Sequence, residues 1–222
     1  IYTGELSEPI QNERAGETDY IADFSDVKTS GRYRVLAEGC RPSMAFSIGD
    51  NIYDEMTNSL LRFFYLQRCG VELSVQLAGD FAHPSCHNTL ARLYGTDQKM
   101  DVRGGWHDAG DYGRYIVAAA VAVADLLLAY ENNPMLYGQN LNIPESSAAL
   151  PDILSEVRFE LEWMLKMQNE QTGEVYHKVT CADFPELQVM PQEEREALYL
   201  CPPSITATAD FAAVMAMAMR FY

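Results

Sequence analysis

Short runs of alternating apolar and polar residues dominate the first fifty positions of the chain. Three of them, at 20–24, 32–36 and 44–48, are separated by glycine and serine residues that favour turns. Alternation with a period of two predicts β-strands that bury one face. Three or four short strands at this spacing suit an antiparallel sandwich, but they are too few to close one by themselves.

The apolar pattern then changes to a helical period. Apolar residues recur three to four positions apart over 52–70, 112–131 and 151–165, and again from 206 to 222. This spacing predicts four helices, the third of which begins with a proline whose φ already suits a first turn. The run 175–179, between the third and fourth helices, is predicted to be a strand.

The fourth predicted helix is unusually apolar. Residues 212–221 consist mostly of alanine, methionine, phenylalanine and valine, so apolar side chains cover every face of the helix. Such a helix needs partners on more than one side. The chain is therefore predicted to hold strands at 1–49 and, at 50–222, part of a larger helical domain.

Charge restricts the classes of partner. The 222 residues are 48% apolar and 22% charged, which is typical of a globular protein. Acidic residues outnumber basic ones by 32 to 16, and the net charge of −16 repels nucleic-acid phosphates and anionic lipid surfaces. No apolar run is long enough to cross a membrane. Neutral polymers such as sugars, and divalent cations, remain compatible with this charge.

The chain contains an odd number of cysteines. The five are Cys40, Cys69, Cys86, Cys181 and Cys201. At least one of them must therefore be a free thiol, a metal ligand or the partner of a cysteine outside the chain. A disulfide between Cys181 and Cys201 is compatible with the sequence, which gives no geometry for it.

A glycine-rich segment at 103–115 carries two carboxylates three residues apart, Asp108 and Asp111. The glycines allow sharp turns and a close approach of a ligand to the backbone. Carboxylates near a helix N-terminus tend to stay ionised, and an ionised carboxylate in a fixed position can act as a general base. The alternative is structural: Asp111 caps the following helix, and Asp108 accepts hydrogen bonds from N–H groups of the turn.

Two cysteines and two histidines form a second constellation, which consists of Cys69, Cys86, His87 and His107. Two thiolates and two imidazoles are the ligand set of many structural zinc sites, in which four protein ligands leave no position open for water. The spacing is not that of a zinc finger. The alternative is that both cysteines are small buried apolar residues and both histidines are hydrogen-bonded within the core.

The segment 104–115 closely resembles the signature of glycoside hydrolase family 9, the inverting cellulases. Further segments are similar to parts of the same family in the same order along the chain, namely 63–70, 81–87, 176–180 and 207–216. The segments 32–35 and 46–50 resemble the end of the immunoglobulin-like domain that precedes many family 9 catalytic domains. The resemblance extends over nearly the whole chain.

The resemblance implies a mainly α fold, in which 50–222 are the N-terminal part of an (α/α)6 barrel, or six-hairpin toroid. The last strands of an immunoglobulin-like β-sandwich would precede it at 1–49. The implied activity is the hydrolysis of internal β-1,4-glucosidic bonds in cellulose or related β-glucans with inversion, by a secreted enzyme. Asp111 would be the general base and Asp108 its helper. The general acid of the family is a Glu in a later part of the catalytic domain, outside this chain.

The same resemblance implies a structural zinc ion on the four Cys and His positions, and calcium without assignable ligands. Flat rings stack on the apolar faces of sugars, so four side chains in the flanking loops are candidate glucan contacts: Trp106, Tyr112, His177 and His83. The expected partners are a β-1,4-glucan polysaccharide or oligosaccharide, together with the remainder of the barrel or a second chain.

Two alternatives stay open at the level of sequence. An enzyme of the same fold could instead be an exo-acting cellodextrin hydrolase or a mixed-linkage glucan hydrolase, because the shape of the cleft decides the cut. The chain by itself could also be a non-catalytic module that binds glucan or is only stabilised by zinc. Binding without turnover would favour the first kind of module, and loss of folding on chelation without affinity for cellooligosaccharides would favour the second.

Overall fold

The chain forms two compact units, Ile1–Met56 and Thr57–Tyr222. The computed structural model describes residues 1–138, 140–146 and 149–222. In these ranges no helix is both long enough and apolar enough to span a membrane.

The first unit is built from two antiparallel hairpins. Strand β1 (Ile10–Asn12) pairs with β2 (Glu17–Asp19), and β3 (Gly31–Tyr33) pairs with β4 (Phe46–Ile48). Gly16 has a φ of +71° in the turn between β1 and β2, a left-handed conformation that glycine adopts without steric cost.

The observed strands of the first unit differ in number and length from those predicted by the alternation of apolar and polar residues. The β1–β2 hairpin was not predicted, because nearly all of its residues are exposed in this unit and no buried face imposes an apolar period. The predicted strand at 20–24 is reduced to an isolated bridge between Leu6 and Ala22. The predicted strands at 32–36 and 44–48 survive as the shorter β3 and β4.

The second unit contains most of the helical residues. Its helices, including α1, which begins just before the unit, are α1 (Asp54–Leu66), α2 (Val75–Ala78), α3 (Ile116–Asn132), α4 (Asp152–Lys166) and α5 (Ile205–Ala218). Helix α3 packs against both α4 and α5. Its buried positions Ile116, Ala120, Val123 and Leu127 follow the spacing of one helical face. The burial of each isoleucine, valine or leucine side chain on this face contributes about 1.5–3 kcal/mol to stability.

The four long helices agree with the predicted ones, but their ends differ. Helix α4 begins at Asp152, one residue later than predicted, because Pro151 is its N-cap with an extended ψ of 144° rather than a residue of the first turn. Helix α3 begins at Ile116 rather than near residue 112, because Tyr112 has a φ of +54° and cannot belong to a right-handed helix. Helix α5 begins after Ser204, whose hydroxyl accepts a hydrogen bond from the N–H of Ala207 at 3.1 Å.

A five-stranded sheet connects the loops of the second unit, and only one of its strands overlaps a predicted one: the run 175–179 becomes the strand at 178–180, with isolated bridges at Val175 and Tyr176. Its strands are β5 (Ala91–Leu93), β6 (Lys99–Met100), β7 (Arg114–Tyr115), β8 (Lys178–Thr180) and β9 (Tyr199–Leu200). Their order is β6-β5-β9-β8-β7, and only the β5–β9 pair is parallel among these strands. Strand β7 leads directly into α3, so the sheet fixes the segment just before that helix.

Candidate active site and metal cluster

The glycine-rich loop, residues 103–115, makes a sharp turn where it packs against α4. Gly104 and Gly105 have φ values of +107° and +78°. A Cβ at Gly105 would lie 2.5 Å from the ring of Trp163, so the close approach of the loop to α4 requires glycine there. The chain leaving α1 pairs with the same loop, because the N–H of Cys69 donates to the carbonyl of Gly105 at 2.8 Å.

Two buried glutamates of α4 hold Trp106 in this loop. The backbone N–H of Trp106 donates to Glu160 Oε2 at 2.7 Å, and its indole Nε1–H donates to Glu156 Oε1 at 2.8 Å. Arg68 in turn forms ion pairs with Glu156 and Glu145, both at 2.9 Å. Burial raises the pKa of Glu156 and raises that of Glu160 well above its usual value. The carboxyl of Glu160 is therefore protonated more readily than that of an exposed glutamate, and the buried carboxyl groups of α4 hold the loop.

Asp111 is fixed by hydrogen bonds to both carboxylate oxygens. The hydroxyl of Tyr115 donates to Oδ2 at 2.6 Å, and the N–H of Gly113 donates to Oδ1 at 3.2 Å. Desolvation, followed by the hydrogen bond to Asp111, raises the pKa of Tyr115 to about 12, so its hydroxyl stays protonated and remains a donor. Short hydrogen bonds to an ionised acceptor are stronger than neutral ones.

Asp108 lies at the opposite end of the same turn. Its backbone N–H donates to the carbonyl of Gly113 at 2.8 Å, which closes the turn that contains both aspartates. Partial burial and, second, the charge of Asp111 raise the pKa of Asp108. The pair thus consists of one carboxylate engaged by donors and one that takes up a proton more readily.

A cavity of about 130 Å³ lies beside Asp108. Its walls come from α1, the glycine-rich loop and α3, and consist of Phe63, Phe64, Gln67, Trp106, His107, Asp108, Tyr115, Ala118, Ala119 and Ala122. Pockets that enclose a small ligand usually measure about 300–1,000 Å³. The cavity is therefore smaller than the pockets that usually enclose a small ligand.

The four predicted metal ligands converge. Cys69, Cys86, His87 and His107 have one ligating atom each within 4.8 Å of the others, and all four side chains are buried. Cys86 Sγ lies 3.8 Å from His107 Nε2. Tetrahedral zinc with bonds of about 2.0–2.3 Å separates its ligand atoms by roughly 3.3–3.8 Å, so the arrangement needs only a small contraction to hold such an ion.

The protonation of these side chains also suits a metal. A hydrogen bond from Cys69 is the largest influence that lowers the pKa of Cys86 to about 7, toward the thiolate that metals bind. Burial lowers the pKa of His107 and keeps its imidazole neutral. His87 Nδ1 is buried and has no hydrogen-bond partner within the described part of the chain. A buried nitrogen without a partner is costly unless something binds it, which fits a metal ligand.

The profile of glycosyl hydrolase family 9 matches residues 53–222, and that of the cellulase N-terminal ig-like domain matches residues 1–42. The chain belongs to glycosyl hydrolase family 9. The fold is thus part of an α/α barrel preceded by immunoglobulin-like strands, as predicted.

Known members of family 9 match along the whole chain. The cellodextrinase of Butyrivibrio fibrisolvens is 43% identical, with 100% of this chain and 41% of that protein covered. Endoglucanase D of Acetivibrio thermocellus is 38% identical, with 100% and 36% covered. The crystal structure of a zinc-binding triple mutant of the family 9 endoglucanase J30 superposes with a TM-score of 0.89 at 37% identity, with 100% and 43% covered. The chain spans about two fifths of the length of the curated relatives it matches.

Of the four candidate sugar contacts in this family 9 chain, two are largely buried. Trp106 and His83 are each 7% exposed, the indole N–H of Trp106 is bonded to Glu156, and His83 Nδ1 contacts the carbonyl of Pro84 at 2.7 Å. Their burial argues against direct stacking on a sugar. His177 remains partly exposed, and its Nδ1 lies 3.1 Å from Ser204 Oγ.

Tyr112 connects the metal cluster to the segment 186–196. Its ring lies 5.6 Å from that of His87 and 5.1 Å from that of His107, and its hydroxyl donates to the carbonyl of Val189 at 2.5 Å. Because the hydroxyl is already bonded, only the ring of this candidate is left to meet a ligand.

Several residues of the site carry no role in the sequence analysis: Tyr115, Glu156, Glu160 and Glu194. The two glutamates of α4 could have been identified from the sequence, because they lie four residues apart on the helical face that buries Ile153 and Val157. Charged residues on a buried face need partners, which here are the glycine-rich loop and Arg68.

The strand register rules out the disulfide considered between Cys181 and Cys201. Val179 pairs with Leu200, and the N–H of Cys201 donates to the carbonyl of Lys178. The two cysteines therefore lie three residue pairs apart along the ladder, roughly 10 Å, whereas bridged cysteines have Cα atoms about 4.4–6.8 Å apart. All five cysteines are free thiols.

No cluster of acidic side chains in the described ranges marks a calcium site. The Cys/His cluster is the only group of three or more histidine, cysteine, aspartate or glutamate side chains there that is close enough to hold an ion. The acidic residues expected to attract calcium do not converge in this part of the chain.

Proposed function

We propose that this chain supplies the water-activating part of an inverting β-1,4-glucan hydrolase, with Asp111 as the general base. The observation that carries the proposal is the anchoring of Asp111 by Tyr115 and Gly113 at 2.6 and 3.2 Å. A base must be fixed close to the water whose proton it removes, and a carboxylate held at both oxygens meets this requirement. Membership of family 9 supports the same reaction class.

In the proposed reaction, a water molecule attacks the anomeric carbon from the face opposite the leaving sugar. The proton of the water passes to Asp111 as the new carbon–oxygen bond forms. The bond to the leaving sugar breaks, and its oxygen takes a proton from a carboxylic acid about 6.5–9.5 Å from the base. We assign that acid to a Glu outside this chain, as the family resemblance implies.

Asp108 is proposed to hold the same water from the other side. Its pKa is raised by partial burial and by the charge of Asp111, so it can share a proton with the water or carry one itself. Tyr115 is a positioning residue in this scheme, because its hydroxyl aims one oxygen of Asp111 and leaves the other lone pairs available.

The substrate class is proposed from the relatives. Internal bonds of cellulose or a related β-glucan are the favoured target, because one relative is named an endoglucanase. An exo-acting cellodextrin hydrolase is the second candidate, and the 43% identity to a cellodextrinase supports it. Hydrolysis of mixed-linkage glucan is a further variant of the same site. We propose that partly exposed His177 contacts the sugar through its side-chain nitrogens, and that the ring of Tyr112 is a second contact.

A zinc ion is proposed on Cys69, Cys86, His87 and His107. With four protein ligands such an ion supplies structural bracing, since no coordination position is left for water. His107 directly precedes Asp108, so the cluster fixes the start of the catalytic turn while the aspartates handle protons. Calcium is kept only as an expectation for the complete enzyme.

The location and assembly are proposed on chemical grounds. Cellulose is an insoluble polymer, so an enzyme that cleaves it must act outside the cell, and we propose secretion. The partners are the glucan and the remainder of the barrel or a second chain. We place the domain boundary near residue 50, with the immunoglobulin-like strands in 1–49 and the barrel segment in 50–222. By itself the chain would then be a non-catalytic, zinc-stabilised module.

The release of reducing ends from a soluble β-1,4-glucan tests the proposal. In the complete enzyme, Asp111→Asn should lower kcat by about 10²–10⁴-fold with little change in oligosaccharide affinity, because a general base contributes that much. Asp97→Asn is the matched control, since Asp97 is exposed on a turn away from the site. The 222-residue chain alone should release nothing.

Two outcomes would contradict the assignment. Retained turnover in Asp111→Asn would remove Asp111 as the base. Release by the isolated chain that disappears in Asp111→Asn would mean that an acid is present in this chain or is lent by a second copy.

A further inference from the structure

Glu194 lies against the metal cluster from a distant part of the chain. Its side chain is 3% exposed, and its Oε2 lies 3.4 Å from Nε2 of His87. Its Oε1 accepts a hydrogen bond from the backbone N–H of Glu196 at 2.5 Å. Both oxygens are therefore engaged, and the carboxylate has a defined orientation.

The two ring nitrogens of His87 have different surroundings. Nε2 faces the carboxylate of Glu194, whereas Nδ1 is buried without a hydrogen-bond partner in the described ranges. A neutral imidazole carries one N–H donor and one lone pair. A carboxylate accepts hydrogen bonds, so the proton belongs on Nε2 and the lone pair on Nδ1. This tautomer leaves Nδ1 as the metal-binding atom.

We propose that Glu194 is a positioning residue for the metal site, which fixes the tautomer and ring orientation of His87 so that Nδ1 binds the ion. The proposal rests on the zinc site proposed above. Mutation of a carboxylate that accepts a hydrogen bond from a metal-bound histidine typically lowers the metal affinity by about 10–100-fold. The backbone of His87 has a φ of +49°, in the left-handed region that is uncommon for residues other than glycine.

Glu194 also gives the segment 186–196 a second attachment to the site. The first is the hydrogen bond from Tyr112 to the carbonyl of Val189. Because one attachment involves a metal ligand and the other involves the catalytic turn, the metal cluster connects that segment to the turn through His87 and Tyr112.

The test measures the zinc affinity of the full chain by competition with a chromophoric chelator. Glu194→Gln should raise the zinc Kd by about 10–100-fold, because an amide can donate to Nε2 and favour the wrong tautomer. Glu196→Gln is the matched control: the same chemical change two residues away on an exposed side chain should leave Kd unchanged. In a His87→Ala background, Glu194→Gln should add less than about twofold, since its target is gone.

Several results would overturn the proposal. One is a Kd for Glu194→Gln within twofold of the wild-type value. Another is an equal rise in the zinc Kd when Glu194→Gln is introduced into the His87→Ala variant, which would show that Glu194 does not act through His87. Failure of metal-free Glu194→Gln to fold, judged by circular dichroism against Glu196→Gln, would assign the carboxylate to the fold itself. A wild-type chain that binds no zinc would remove both the site and its positioning residue, whereas a failure of Asp111 as base would leave these affinities unaffected.

Discussion

At the scale of single residues, the catalytic turn depends on contacts that come from outside it. Asp111 is aimed by Tyr115, which lies on the strand that follows the turn. Trp106 is held by Glu160 through its backbone N–H and by Glu156 through its indole N–H. The residues proposed to carry the chemistry are therefore few and local, while those that place them are spread over neighbouring elements.

Gly105 offers a direct test of how closely the loop must approach α4. Gly105→Ala should lower the free energy of unfolding by about 1–3 kcal/mol more than Gly173→Ala, measured by urea denaturation in saturating zinc. Both positions have a positive φ, +78° and +77°, so both variants incur a backbone penalty of about 1–2 kcal/mol. Only Gly105 has a neighbour in the way, the ring of Trp163 at 2.5 Å. Equal losses in the two variants would show that the packing at Trp163 relaxes freely.

The sequence allowed the Asp pair and the four Cys and His residues to be singled out, because each set combines chemically distinctive side chains in a recognisable motif. Their convergence in space is observed for the metal cluster. Glu194 could not be found in this way, since more than one hundred residues separate it from His87 and a single glutamate in an acidic loop has no distinguishing pattern. Tertiary structure alone brings the two together.

At the scale of elements, α4 combines two functions on one face. Apolar side chains such as Ile153 and Val157 pack into the core, and between them Glu156 and Glu160 bind the glycine-rich loop. The long helices were predictable because a period of 3.6 persists over fifteen or so residues. Three strands of the sheet were not, because β6, β7 and β9 are only two residues long and no period can be read from two positions.

Glu160 should make stability depend on pH. Its pKa in the folded chain is raised well above 4.5, so the folded state keeps a proton that the unfolded state releases. The stabilising contribution is fully present below pH 4.5 and is lost as the pH rises through the folded-state pKa, at up to about 1.4 kcal/mol per pH unit. As the pH rises from 5 to 8, the stability of Glu160→Gln should therefore fall less than that of the wild-type chain. The measurement is the urea concentration at the midpoint of unfolding at each pH.

Glu170→Gln is the control for this measurement, because Glu170 is exposed beyond the end of α4. The difference between each variant and the wild-type chain is compared at every pH, so that effects common to all three proteins cancel. Parallel curves for Glu160→Gln and the wild type would mean that Glu160 is ionised in the folded chain.

At the scale of the whole molecule, large apolar side chains remain exposed on the barrel helices. Phe63 is 51% exposed on α1, and Val121 is 59% exposed on α3. The chain covers about two fifths of its curated relatives, and in a complete α/α barrel further helices would pack on such faces. The fold class was predictable from the resemblance, whereas which helix faces stay open required the packing of α3 against α4 and α5.

The isolated chain should therefore self-associate through α3. Light scattering at increasing concentration should show oligomers for the wild-type chain, and Val121→Asp should reduce them by placing a charge on the open face. Val75→Asp is the matched control, because Val75 is 76% exposed on the short helix α2. A wild-type chain that stays monomeric across the whole concentration range would contradict this expectation.

The parallel pairing of β5 with β9 has a consequence for biosynthesis. Arg92 pairs with Tyr199, so more than one hundred residues must be made before the sheet can close. At synthesis rates of about 5–20 residues per second, the nascent chain waits roughly 5–20 s between the two strands. All four metal ligands, however, are present once residue 107 has emerged. An ion captured at that stage would staple the early chain and protect its thiols from oxidation while the rest is still being translated.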